Sequence, residues 1–226
     1  MHAAKAATSN IPIVFTSGDD PVKSGFVDSL NRPGGNVTGV HMFLTGLEPK
    51  RLGLLREVVP RAEVIAALVN PNFPDAANQL RDLRTAANAV QQQIEIINAG
   101  SDGEFDAAFM AIARSRAGAL LVGTDPFFNS VRNRIVALAA RHAIPAVYEQ
   151  RTFAESGGLM SYGTNLAEGY RQAGLYVGRI LKGDKVGDLP VVQSTKFEFV
   201  INLKTAKGLG LEFPPGVLAI ADEVIE

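Results

Sequence analysis

The 226-residue sequence contains no cysteine, which excludes disulfides, thiolate metal ligands and a cysteine nucleophile. Its three histidines, His2, His41 and His142, are too few and too scattered for a histidine-rich metal site. No run approaches 18 uninterrupted apolar residues, so no segment is read as a membrane span. The opening stretch, MHAAKAATSN, lacks the apolar core of a signal peptide. Charge of one sign is not in excess either. Twenty-two Lys plus Arg stand against 23 Asp plus Glu, a net charge of −1, which gives no general electrostatic drive toward nucleic acid or acidic membranes. Catalytic signatures are missing too: there is no G-x-S-x-G, Walker loop, G-x-G-x-x-G or H-E-x-x-H. The cluster Gly34-Gly35-Asn36 precedes a strand pattern and so reads as a turn, not a phosphate cradle. Asp19 and Asp20 are neighbours in sequence and carry no acid/base geometry by themselves. Nothing here argues for an enzyme.

What is present is an ordinary globular composition, 46% hydrophobic and 20% charged, in a length suited to one large domain or two small lobes. Short apolar runs at 11–15, 37–40, 64–69, 94–97, 119–122 and 146–148 are rich in Val and Ile and nearly continuous. That pattern belongs to strands covered on both faces of a parallel sheet. Between them lie segments of helical spacing. Leu80, Leu83, Ala87 and Val90 share a face within 75–92, as do Phe105, Ala108, Phe109, Ile112 and Ala113 within 104–116. Val131, Ile135, Leu138 and Ala139 do the same within 129–142. A further amphipathic helix over about 165–182 carries Tyr170, Ala173, Val177 and Leu181 on one side, and Gly183 reads as its stop. After it come a strand at 197–201, a short helix at 203–209, a Pro-Pro turn and a terminal amphipathic segment. From 61 to 150 the order is therefore β-α-β-α-β-α-β, an open α/β layer.

One internal similarity bears on organisation. Residues 6–15, AATSNIPIVF, and 139–148, AARHAIPAVY, are identical at five of ten positions. The pair is either a generic helix-to-strand junction or a duplicated α/β unit, the second reading implying two related lobes. On that reading the second copy sits on the fourth strand of its lobe. Three βα units, about 80–100 residues at the usual size of such units, are then expected to precede the first copy.

In open parallel sheets, ligands meet the loops at the carboxyl ends of strands. Those loops read TSGDDPV, NPNFPDA, GTDPFFNS and EQRTF, with GGLMSYGTN read as a later loop at 157–165. They combine carboxamide, acid, proline and aromatic groups suited to a small polar ligand with an apolar portion. Asn70 and Asp75 are either helix caps or neighbours of backbone amides, at about 72–76, that hold a ligand carboxylate. Asp125 before Pro126 is either a cap or the partner of a ligand ammonium or hydroxyl. Of the adjacent Phe127 and Phe128, one is expected in the core. Tyr162 is either a packing residue or a wall of a cleft, and His142 is read as a residue complementing a helix dipole.

These segments in this order, among them IPIVFTSGDDPV, LNRPGGNVTGV, LVNPNFP, AGALLVGTDPFFNS, LAARHAIPAVYE and GGLMSYGTN, resemble the substrate-binding proteins of bacterial ABC transporters. The similarity is to the group of tryptophan- and tyrosine-binding lipoproteins with a type I periplasmic-binding-protein fold. The resemblance implies an α/β protein of two lobes with parallel sheets, the first lobe incomplete: 1–43 with 164–190, and 44–163 with 191–226. It implies a clamp that captures a small organic solute, an amino acid or a similar compound with aromatic ones prominent, between its lobes and delivers it to a membrane permease. The ligand contacts implied are Asp20 and Pro21 from the first lobe and Asn70, Asn72, Phe73, Asp125, Glu149 and Tyr162 from the second. No catalytic residue, metal or cofactor is implied, nor any nucleic-acid partner. The family is periplasmic or anchored outside the membrane, although this sequence opens without an export signal and enters the family pattern just before the fourth strand. An alternative from another class is the effector-sensing domain of a regulator with the same fold.

Overall fold

The computed structural model describes residues 1–18, 20–44 and 46–226. Asp19, read above beside Asp20, and Thr45 lie outside the described residues. In chain order the elements are α1 (His2–Ala7), β1 (Ile13–Ser17), β2 (Val37–His41), α2 (Glu48–Val58), β3 (Val64–Val69), α3 (Ala76–Ala89) and β4 (Gln93–Asn98). They continue with α4 (Phe105–Arg114), β5 (Ala119–Val122), α5 (Pro126–Ser130), α6 (Arg132–Arg141), β6 (Ala146–Tyr148), α7 (Arg151–Glu155) and β7 (Met160–Thr164). The last are α8 (Leu166–Leu181), β8 (Val192–Gln193), β9 (Phe197–Asn202), α9 (Leu203–Gly208), α10 (Pro215–Ala219) and β10 (Glu223–Ile225). The chain forms two compact units, Met1–Leu44 with Thr164–Phe197, and Thr45–Gly163 with Glu198–Glu226.

The second unit is built on a seven-stranded sheet of order β10-β9-β7-β6-β5-β3-β4. Its recorded pairings β10–β9, β3–β4, β3–β5, β5–β6 and β6–β7 are all parallel. Successive residues of each central strand enter opposite clusters. Ile65, Ala67, Val69, Leu121 and Val147 join Leu52, Leu55 and Phe199 on one face. Ala66, Leu68, Leu120, Val122 and Tyr148 join Phe105, Phe109, Phe128 and Phe153 on the other. Both faces are dry, which is why these strands read as unbroken apolar runs rather than alternating ones. At one margin β4 begins with an alternation, Gln93 and Glu95 turned outward between the half-buried Ile94 and Ile96, and such polar residues blunt an edge strand against further pairing.

The first unit carries a three-stranded parallel sheet, β1-β2-β8. Phe15, Phe26, Val27, Val37 and Val191 form a small core on one face, and α8 packs across β1 and β2 on the other. The Tyr176 hydroxyl of α8 donates to the Pro190 carbonyl at 2.6 Å. The close approach of β1 and β2 requires Gly39, because a Cβ there would overlap the Phe15 carbonyl.

Four expectations change. The segment 157–165 is not a loop: Met160–Thr164 is an interior strand, made of small and mixed residues that give little alternation to read. Residues 129–142 are not one helix but the end of α5 and all of α6, broken at Val131. Residues 191–197 belong to the first unit, because Val192 and Gln193 pair with Val40 and His41. On α8 the buried positions are Gly169 and Tyr176, whereas Tyr170, Val177 and Leu181 face outward. Both copies of the internal repeat run from a helix end through a turn into a strand, beginning at Ile13 and Ala146.

Candidate functional site

Within the second unit, the carboxyl ends of β3, β5 and β6 carry Asn70, Thr124, Asp125 and Glu149, all buried. The first turns of α2 bring in two more buried charges, Glu48 and Arg51. A fully enclosed guanidinium is tolerated only with partners on several sides. Arg51 has them. Its Nε donates to the Tyr162 carbonyl on β7 at 3.1 Å and its Nη2 to the Thr124 hydroxyl at 3.1 Å. Its Nη1 lies 3.6 Å from the Glu48 carboxylate. Gln79 of α3 fixes the same loop, donating to the Thr124 carbonyl at 2.7 Å and accepting from the Thr124 N–H at 3.1 Å.

Asp125 takes the capping role that was one of its two readings, and it holds a second bond that the sequence did not suggest. One carboxylate oxygen accepts from the Phe127 and Phe128 N–H groups and caps α5. The other accepts from the Asn70 amide at 2.8 Å. Asn70 in turn accepts from the Asn72 N–H at 2.9 Å, forming an Asx turn rather than a helix cap. Asp75 stands at the N-cap position of α3 without a side-chain cap bond. The N–H groups of Asn72, Phe73 and Ala76, considered for a ligand carboxylate, already bond to Asn70 and Phe73. Gly100 is needed opposite this turn, since a Cβ there would run into the Asn72 amide.

Glu149 carries the unusual chemistry of the cluster. Burial pushes its carboxyl up to about 7, against the pull of the Arg51 guanidinium, the Thr124 hydroxyl and the Asp125 N–H, with the Glu48 carboxylate adding to the rise. The aromatic members lie nearer solvent. Tyr162 on β7 and Phe73 are both half-buried and lean on the core of this unit, and the Lys50 ammonium stands 5.9 Å from the Tyr162 ring centre. Phe128 is fully enclosed while Phe127 is half-buried, and His142 sits at the C-cap of α6, stacked on Phe109.

In the first unit, Asp20 caps a turn, accepting from the Val22 and Lys23 N–H groups at 3.0 and 3.2 Å. Pro21 is buried, its carbonyl accepting from Phe26 at 2.8 Å. Of the residues singled out in the sequence, Asn70, Asp125, Asn72 and Phe73 thus share one corner of the second unit, with Glu149 and Tyr162 joined to it through Thr124 and Arg51. Four members of the network, Glu48, Arg51, Gln79 and Thr124, escaped sequence reading. The i,i+3 Glu–Arg spacing of 48 and 51 was the available signal, but on a surface helix the same spacing is a solvated pair.

The model of the family described as ABC transporter substrate binding protein matches residues 1–225. The chain belongs to this family. A tyrosine-binding protein of Clostridioides difficile is 29% identical over 212 residues, which are 93% of this chain. The chain spans about 60% of the length of that relative. A conserved domain protein from Vibrio cholerae superposes with a TM-score of 0.83 at 28% identity, over 98% of this chain and 74% of the other. The ABC domain in complex with L-Trp from Streptococcus pneumonia superposes at 0.81 with 26% identity, over 98% and 76%. The fold of this family member is accordingly of the type I periplasmic-binding-protein kind, with parallel α/β sheets. No helix among the described residues is long and apolar enough to cross a membrane.

Proposed function

We propose that this protein is the solute-capturing component of an ABC importer, working outside the cytoplasmic membrane and handing an amino acid, an aromatic one, to a membrane permease. The observation that carries the reading is the family match along residues 1–225, and the likeness to a tyrosine-binding protein and to an L-Trp complex supports the ligand class. The chemistry of the second unit suits such a ligand. Half-buried Phe73 and Tyr162 supply apolar faces, and Asp125 and Glu149 supply carboxylates for an ammonium group. Asn70 and Asn72 supply amides, and Asp20 and Pro21 are the contacts proposed from the first unit. Recognition rather than turnover is the role assigned to all eight.

L-Tyrosine and L-tryptophan, titrated separately into the protein, are expected to raise its melting temperature. Saturation at 100 times the dissociation constant corresponds to about 2.7 kcal/mol of added stability. Asp125→Ala is expected to weaken binding of the zwitterion by about 1–3 kcal/mol. Absence of a shift with every amino acid tried would sink the ligand assignment.

A further inference from the structure

Between α6 and α9 the second unit holds a cavity of about 260 Å³. Protein interiors keep few voids much larger than a water molecule, and an apolar cavity of about 150 Å³ is enough to admit benzene. This one has room for an aromatic ring with a short substituent. It lies against β6 and β7, each of which has a neighbouring strand on both sides. The βα units that the internal repeat places ahead of β1 would belong to the other sheet. Small residues keep the space open. Ala139 and Ala140 of α6 and Gly208 of α9 line it, and a Cβ added at Gly208 would meet nothing within 4 Å. Hydrogen bonds hold the walls apart: the Thr205 hydroxyl of α9 donates to the Gly157 carbonyl at 2.8 Å. The Asn202 amide just ahead of it donates to the Ala154 carbonyl at 3.0 Å. Helix α9 is thereby tied to the α7–β7 connection rather than free to collapse onto α6.

Two polar residues belong to this mostly apolar lining and lack a partner for their end groups. Tyr148 is one: its hydroxyl is buried with no hydrogen-bond partner. The ring is not free to turn and find one. It stacks on Phe153 with centroids 4.7 Å apart, and it lies so near Gly158 that a Cβ there would strike its Cε2. Burial lifts the phenol above its ordinary pKa, so the group stays a donor. A buried donor left unsatisfied is a standing cost that an incoming acceptor removes. Lys204, in the first turn of α9, is the other. It is exposed and pairs with no acid among the described residues. No Asp or Glu among the described residues lines the cavity, so it offers nothing to a ligand ammonium.

We propose that the cavity between α6 and α9 is a further ligand site, for a small aromatic monocarboxylate that carries no amino group. The ring fills the space between the two helices. The carboxylate accepts from the Tyr148 hydroxyl, and the Lys204 ammonium, on its long flexible stem, balances the charge from the rim. A bond from a hydroxyl to an ionised acceptor is stronger than one between neutral groups, which favours an acid over an amide or alcohol. The charge pattern is the reverse of the corner that holds Asp125 and Glu149, where carboxylates are the proposed partners of an ammonium. The two places therefore separate ligands by the presence or absence of the amine.

Phenylacetate is the probe. Calorimetric titration into the full chain should give one site with a dissociation constant of about 0.1–1 mM, the range open to a ligand of about ten non-hydrogen atoms. Tyr148→Phe removes the orphaned hydroxyl. The free variant should melt no lower than the parent, while phenylacetate binds about fivefold more weakly or worse. Lys204→Gln alters an exposed side chain and should weaken phenylacetate about threefold, with no effect on the uncharged analogue 2-phenylethanol. Any melting shift given by L-tyrosine should be the same in both variants as in the parent, and excess L-tyrosine should not displace phenylacetate. Absence of phenylacetate binding, binding that either variant leaves intact, or displacement by L-tyrosine overturns the proposal.

Discussion

Glu149→Gln should stabilise this protein at high pH and do the opposite at low pH. In the folded chain the Glu149 carboxyl is lifted from 4.5 to about 7, chiefly by burial. Between those values the folded state holds a proton that the unfolded state has released. Its contribution to stability is therefore complete below pH 4.5 and is lost as the pH rises through about 7. Ionising it inside the fold costs about 3 kcal/mol at 1.4 kcal/mol per pH unit of displacement. Glutamine keeps the volume and removes that cost, but it gives up a hydrogen bond with Thr124 or Asp125, worth about 1 kcal/mol. The net expectation is a gain of about 1–2 kcal/mol at pH 8 and a loss of about 1 kcal/mol at pH 4.5, the two curves crossing between. Urea unfolding followed by circular dichroism across pH 4.5–8.5 measures the difference. A Gln variant whose offset from the wild type is the same at both ends of the range would refute the assignment of a buried, titrating carboxyl.

Arg51→Met leaves Glu48 buried without its cation and should destabilise by about 3–5 kcal/mol, whereas adding Glu48→Gln should recover much of the loss; urea midpoints of the two variants decide this. Gly163→Ala should cost about 1–3 kcal/mol, because its Cβ would overlap the Glu149 carbonyl just past the end of the neighbouring strand β6. Gly53→Ala in α2, where a Cβ meets nothing within 4 Å, should instead gain up to about 1 kcal/mol, and thermal melting of the pair separates the two cases.

The α/β layer of the second unit was legible because burial on both faces leaves no polar alternation in its strands, as in Val64–Val69 and Ala119–Val122. Strand Met160–Thr164 was not: Ser161, Gly163 and Thr164 carry weak local preference, and the strand is held by its neighbours β6 and β9. The loops bearing Asn70, Asp125 and Glu149 could be found because strand ends announce them. What those side chains bond to could not.

By itself the sequence determined the layer architecture, the loops gathered at strand ends and the family, because periodicity and local motifs are properties of neighbouring residues. Only the tertiary structure decided which charges meet. Arg51 reaches Thr124 and Tyr162, 73 and 111 residues away, and Asp125 is held by Asn70, 55 residues away. It also decided which side of α8 faces the core. A helix carrying two apolar faces declares both in its sequence, and only the sheet beneath it selects the one that is buried.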